Sequence, residues 1–273
     1  MTLFIIVPMP IDRQADDMTS GSGVLIGNHN LRLTATLSFV FGLIVASTAV
    51  ADDSSPALAR LFGKRERDAD ERLVLLDLPK QDLIDDDLRA VADLTSLKQL
   101  NLSFCKRVKN DGLQHLARLV ELRELNVGGC KLIGDAGLEH LRSLTKLERL
   151  NLSVTQVSDD GLKTVALFSR LKGLDLDNTG VTEEGLPHLA RLTDLEYLRL
   201  ADLSITDRAV AQLIGFKKLK MLVLNGTELT DVGFQELMKL DRLERLSVSN
   251  THVSSEAIEQ AKRTRPTLRI TGP

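Results

Sequence analysis

Eight runs of the form L-x-x-L-x-(Leu/Val) recur along the chain at a nearly constant interval. No other feature restricts the fold as much. The leading leucines are Leu73, Leu97, Leu122, Leu147, Leu171, Leu195, Leu219 and Leu243, with successive spacings of 24, 25, 25, 24, 24, 24 and 24 residues. Leucine accounts for 52 of the 273 residues, about twice ordinary usage, and most of that excess lies in the repeat. Each unit has two halves with different periods. The first, as in LERLNLS, ends in a period-two alternation that reads as a short strand. The second, as in SDDGLKTVALFSR, has apolar residues at helical spacing. Ser158, Thr182, Thr206, Thr230 and Ser254 begin these second halves as N-caps, and Asp159, Glu183, Asp207 and Asp231 follow where the helix dipole favours negative charge.

One such unit has too little surface to bury its own leucines, whereas a side-by-side stack buries them in one continuous core. The expected fold is therefore an α/β solenoid, a short right-handed horseshoe with a parallel sheet on the concave side and helices on the convex side. Its ends need covers. Ser55 and Pro56 can start a short capping helix whose Leu58, Leu61 and Phe62 shield the first unit. Residues 266–270 alternate like a last strand behind a polar KRTR segment.

The unit pattern L-x-x-L-x-L-x-x-(Cys/Thr)-x-Val-(Ser/Thr)-Asp-x-Gly-Leu-x-x-Leu resembles the leucine-rich repeat family. The resemblance runs over residues 73–270. Within the family the unit is similar to the cysteine-containing subclass of F-box substrate receptors, and to repeats carried by many bacterial exported or effector proteins. The resemblance implies a fold and leaves the partner open.

Residues 33–51 are apolar, follow His29 and Arg32, and end in Ala49-Val50-Ala51 before Asp52. This is the layout of a secretory signal peptide cleaved after Ala51, with an uncleaved membrane anchor over 33–51 as the alternative. Translation can begin at Met1 or at Met18. The expected organisation is a leader over 1–51, a cap over 52–72 and the repeat domain over 73–273.

Composition and motifs argue against most chemistry. A net charge of −3 and 3% aromatics provide neither the basic surplus nor the stacking platform of a nucleic-acid binder. Cys105 and Cys130 share the ninth position of their units, where Thr155, Thr179, Thr227 and Thr251 stand elsewhere. They read as buried thiols doing the work of Thr, with an inter-coil disulfide as the alternative. His115, His140 and His188 share an outer helical slot that lacks a third metal ligand. Gly112, Gly137, Gly161, Gly185 and Gly233 share a slot of close packing between coils and form no phosphate-loop motif. No catalytic residue, cofactor or metal is expected, and the chain does not read as an enzyme.

The concave face is where a ligand would be read. Its middle column runs Asp77, Asn101, Asn126, Asn151, Asp175, Arg199, Val223, Ser247. The column before it runs Leu75, Gln99, Glu124, Arg149, Gly173, Tyr197, Met221, Arg245, and the one after it runs Pro79, Ser103, Gly128, Ser153, Asp177, Ala201, Asn225, Ser249. The centre gathers Arg149, Asp175, Asp177, Asn178, Tyr197 and Arg199 around the chain's single Tyr, and Tyr and Arg are enriched at interface hot spots. These six are the partner-binding candidates. The expected function is an exported, non-catalytic scaffold for a protein ligand, with no nucleic-acid or membrane partner for the mature chain. The F-box resemblance implies a substrate-recognition subunit of a ubiquitin-ligase-like or effector system as the alternative. Carbohydrate binding is disfavoured by the scarcity of rings. Replacing Tyr197 and Arg199 by Ala is expected to weaken capture without unfolding.

Overall fold

A computed structural model describes residues 58–272. The leader, its cleavage position and the Ser55–Pro56 cap start lie outside those residues. Ten strands form one sheet in chain order. They are β1 (Lys64–Arg67), β2 (Leu73–Asp77), β3 (Gln99–Asn101), β4 (Glu124–Asn126), β5 (Arg149–Asn151), β6 (Gly173–Asp175), β7 (Tyr197–Arg199), β8 (Met221–Val223), β9 (Arg245–Ser247) and β10 (Arg269–Thr271). From β2 to β10 every neighbour is parallel, and Leu76, Leu100, Leu125, Leu150, Leu174, Leu198, Leu222, Leu246 and Ile270 stand in one register line. In a typical strand the middle residue is buried and its two flanks are half-buried on the opposite face, as the period of two requires.

The second half of each unit is helical but short. Five units contain α-helix: α1 (Asp135–Glu139), α2 (Asp159–Val165), α3 (Val210–Leu213), α4 (Asp231–Leu237) and α5 (Ser255–Thr264). Of these, α2, α4 and α5 start at a Ser or Thr whose hydroxyl accepts a first-turn N–H, α1 starts at Gly134 without one, and α3 follows the 3-10 turn Asp207–Ala209 that Thr206 caps. Three other units form 3-10 turns instead, at Asp85–Val91, Asn110–Leu116 and Leu186–Arg191. The first two begin at Ile84 and Lys109, whose side chains make no cap hydrogen bond, and the third carries Pro187 in its first turn. At seven residues or fewer there is little α-helical propagation to offset nucleation, so the tighter turn competes.

The acidic residue at the first helical position does more than meet a dipole. Asp135, Asp159, Asp207 and Asp231 each accept the backbone N–H and the hydroxyl of the cap residue one coil further on. Asp159, for example, receives Thr182 N at 2.8 Å and Thr182 Oγ1 at 2.7 Å. The shared glycine slot lies under the same carboxylates. A Cβ on Gly185 would stand 2.1 Å from Asp159 Oδ1, and one on Gly233 2.2 Å from Asp207 Oδ1. Where Glu183 replaces Asp it still holds Thr206, and the residue beneath it is Ala209.

The ends differ from expectation in two places. Leu58 and Leu61 are buried, each 2% exposed, but Phe62 is 80% exposed and shields nothing. The first unit is covered by β1, which pairs antiparallel with β2. Its Arg65 donates to the carbonyls of Leu58 at 2.7 Å and Leu61 at 2.8 Å. At the far end β10 adds the expected final strand. One core runs without interruption from Leu58 to Leu268.

Candidate binding face

The strand face begins with backbone, because its polar side chains first serve the turns beside them. Asn101, Asn126, Asn151 and Asp175 each accept, through their side-chain oxygen, the N–H two residues on, at 2.8–3.0 Å. These are Asx turns that close the strand end. From β7 onward the middle column lacks Asx residues. Asp177 and Asn225 then reach from the preceding coil to the N–H of Ala201 (2.7 Å) and Ser249 (2.9 Å). The next residue in every unit has positive φ, between 56° and 78°: Lys80, Phe104, Gly129, Val154, Asn178, Asp202, Gly226 and Asn250. In all of them but Asn250 this left-handed geometry aims the N–H at a carbonyl of the following coil, as Asn178 N does at Ala201 O (2.9 Å). Asn178, singled out for binding, is therefore a turn residue whose exposed side chain sits at the rim.

The other five candidates fall into two groups. Arg199 pairs with Asp175 (Nε to Oδ2, 3.2 Å) and with Asp177. These side chains are 32%, 20% and 14% exposed. Burial is the largest influence on Asp175 and pushes its carboxyl up to about 6; Asp177 beside it raises it further, while the Asp177 N–H and Arg199 oppose. Arg149 does not join this cluster. It pairs with Glu124 at 2.7 Å. Its methylenes cross Gly173, where a Cβ would meet Arg149 Cγ at 3.4 Å and Tyr197 Cβ at 3.9 Å. Gly173 is itself buried, so the Arg149 methylenes lie across the backbone there, with half-exposed Tyr197 on the other side. The Arg199 ion pairs also change one expectation. Removing Arg199 strands two partly buried carboxylates, so Arg199→Ala is a stability variant as much as a binding variant.

Cys105 and Cys130 are free, buried thiols. Their sulfurs lie 3.2 Å from Leu78 O and 3.1 Å from Leu102 O, carbonyls of the preceding coil. Thr155, Thr179, Thr227 and Thr251 at the same position bond instead to the carbonyl three residues back in their own coil. Burial pushes the Cys130 thiol up to about 12 and also raises Cys105. His140 and His188 are exposed and His115 is half-buried, and the described residues contain no group of three or more His, Cys, Asp or Glu able to hold a metal ion. None of the described helices is long and apolar enough to cross a membrane.

The repeat geometry can be compared with known proteins. A family profile described as Leucine Rich repeat matches residues 93–117, 122–141 and 143–166. Three of the coils match that profile, and the stack has the leucine-rich-repeat fold. Among solved structures, internalin C2 from Listeria monocytogenes is similar over 74% of this chain and 81% of its own, with 21% identity and a TM-score of 0.59. The internalin InlF from Listeria monocytogenes is similar over 66% of this chain and 62% of its own, at 23% identity and a TM-score of 0.44. A leucine-rich-repeat protein from Leptospira interrogans is similar over 67% of this chain and 50% of its own, at 19% identity and a TM-score of 0.45. At such identity the likeness to internalin C2 concerns the leucine-rich-repeat fold alone. A sequence search of curated proteins finds no match.

Proposed function

We propose that this leucine-rich-repeat chain is an exported, non-catalytic scaffold that captures a protein partner on its strand face. The observation that carries the reading is the setting of Tyr197. A half-exposed ring stands beside the Arg149 side chain that crosses Gly173, with Arg199 two residues on, on strands locked in register by a continuous core. Rigid Tyr and Arg side chains that are already positioned lose little conformational entropy when a partner docks. The titratable groups at the centre support binding rather than catalysis, because ion pairs and turn hydrogen bonds already occupy them.

Tyr197→Ala is the clean probe, since its ring supports no turn or ion pair. The expected result is loss of a specific partner in affinity capture from the envelope fraction, with an unchanged thermal melt. Equal recovery of that partner by the variant would end the assignment of the face. Export is tested by N-terminal sequencing of the native protein, which should begin at Asp52.

A further inference from the structure

We infer that the strand face from β7 to β10 is a docking site for an acidic peptide segment that also carries apolar side chains. The inference rests on the reading of this face as a partner surface and names the partner's chemistry. Tyr197, Met221, Arg245 and Arg269 are register partners on four successive strands, so they form one row with steps of about 4.8 Å. Val223 and Ala201, both largely buried, supply an apolar floor beside that row.

The charge of the face changes sign along the stack. From β2 to β6 its three columns hold four carboxylates (Asp77, Glu124, Asp175, Asp177) and one guanidinium, Arg149, for a formal charge of −3. From β7 to β10 the described positions hold three guanidiniums (Arg199, Arg245, Arg269) and no carboxylate, for +3. Arg149 and Arg199 are matched by acids of the face itself. Arg245 and Arg269, adjacent in register, have no carboxylate within 4.0 Å among the described residues. Two uncompensated guanidiniums next to a ring, a thioether and an apolar floor suit a segment that alternates carboxylates with apolar side chains. Arginine adds bidentate recognition of each carboxylate. The acidic half of the same face repels such a segment and so limits it to β7–β10.

The test uses fluorescein-labelled (Glu-Leu)5, (Lys-Leu)5 and an oligothymidine of matched charge, with the full chain, read by fluorescence anisotropy at low and high salt. Binding of (Glu-Leu)5 but not (Lys-Leu)5 is expected, weakened by salt. Arg245→Glu with Arg269→Glu should lower it about tenfold or more, with an unchanged melt, and Tyr197→Ala should lower it less. Absence of (Glu-Leu)5 binding, equal binding of the two peptides, equal binding of the oligothymidine, or indifference to the double charge reversal overturns the inference. If affinity capture still depends on Tyr197 while (Glu-Leu)5 fails to bind, the partner surface stands and only the ligand class falls.

Discussion

At the scale of single residues, Asp175 shows how the face combines structure with cost. Its carboxylate closes an Asx turn and pairs with Arg199, yet burial outweighs both and raises it from 3.8 to about 6. A carboxyl raised by folding binds its proton more tightly in the native state than in the unfolded chain. Its contribution to stability is therefore full below about pH 4 and is lost as pH rises through 6. The ionisation of Asp175 in the folded chain costs about 3 kcal/mol relative to the unfolded chain. Asparagine occupies the same column at 101, 126 and 151, where it accepts the same turn N–H. Asp175→Asn should keep the turn, leave Arg199 paired with Asp177, and remove the cost of ionisation. Thermal melts of wild type and variant at pH 4 and pH 7 check this. The variant should gain stability at pH 7, and the difference should vanish near pH 4. An equal difference at both values would mean that ionisation of Asp175 is not the cause.

At the scale of elements, the acids Asp135, Asp159 and Asp207 and the glycines one coil later, Gly161, Gly185 and Gly233, form a single device. Gly185 has an ordinary right-handed backbone (φ −77°, ψ −28°), so propensity alone predicts that Gly185→Ala stabilises the turn by up to about 1 kcal/mol. The added Cβ would meet Asp159 Oδ1 at 2.1 Å, its Cγ at 2.7 Å and its Cβ at 2.9 Å, and that carboxylate is pinned by Thr182. Gly185→Ala should therefore destabilise by about 1–3 kcal/mol. In an Asp159→Ala background it should become neutral or favourable. A double-mutant cycle by denaturant unfolding measures the coupling, and a value near zero would separate the two residues. The strands were legible in the sequence because a Leu period of two is local information. The carboxylate–glycine device was not, because the acceptor and the space it fills lie 23 to 26 residues apart and each residue has a local explanation. Alanine also occupies the glycine slot, at Ala209 under Glu183 and at Ala257 under Asp231, so the sequence column alone does not expose the pairing. The choice between α and 3-10 turns was hidden by shortness, and β1 by the lack of alternation in KRER. At the candidate site, the gathering of Asp175, Asp177 and Arg199 followed from column positions. The pairing of Arg149 with Glu124 did not, because side-chain reach across a coil is not written in spacing.

At the scale of the molecule, each coil touches only its neighbours, so stability is a sum of coil and interface contributions and the ends need special covers. At the C-terminal end α5 and β10 form the cover, and a single arginine ties it down. Half-buried Arg265 donates to the carbonyls of Met238 (3.2 Å), Leu240 (3.0 Å), Asp241 (3.2 Å) and Leu243 (3.2 Å), tying α5 to the loop before β9. Four acceptors spread over one loop suit the planar fork of a guanidinium, and an ammonium cannot reach them together. Leu174, in contrast, lies mid-stack on β6 and is 3% exposed. Its truncation to Ala should cost about 2–5 kcal/mol and lower protection across the whole stack, because the coils on both sides lose the same interface. Arg265→Ala should act locally. Native-state hydrogen exchange should show protection falling about tenfold or more for amides of α5 and β10, with β3 to β6 unchanged, and Arg265→Lys should restore little of it. A uniform loss along all strands in Arg265→Ala would mean that the stack unfolds as one unit with no independent end. The coil-by-coil account of its stability would then fail even with every leucine in place.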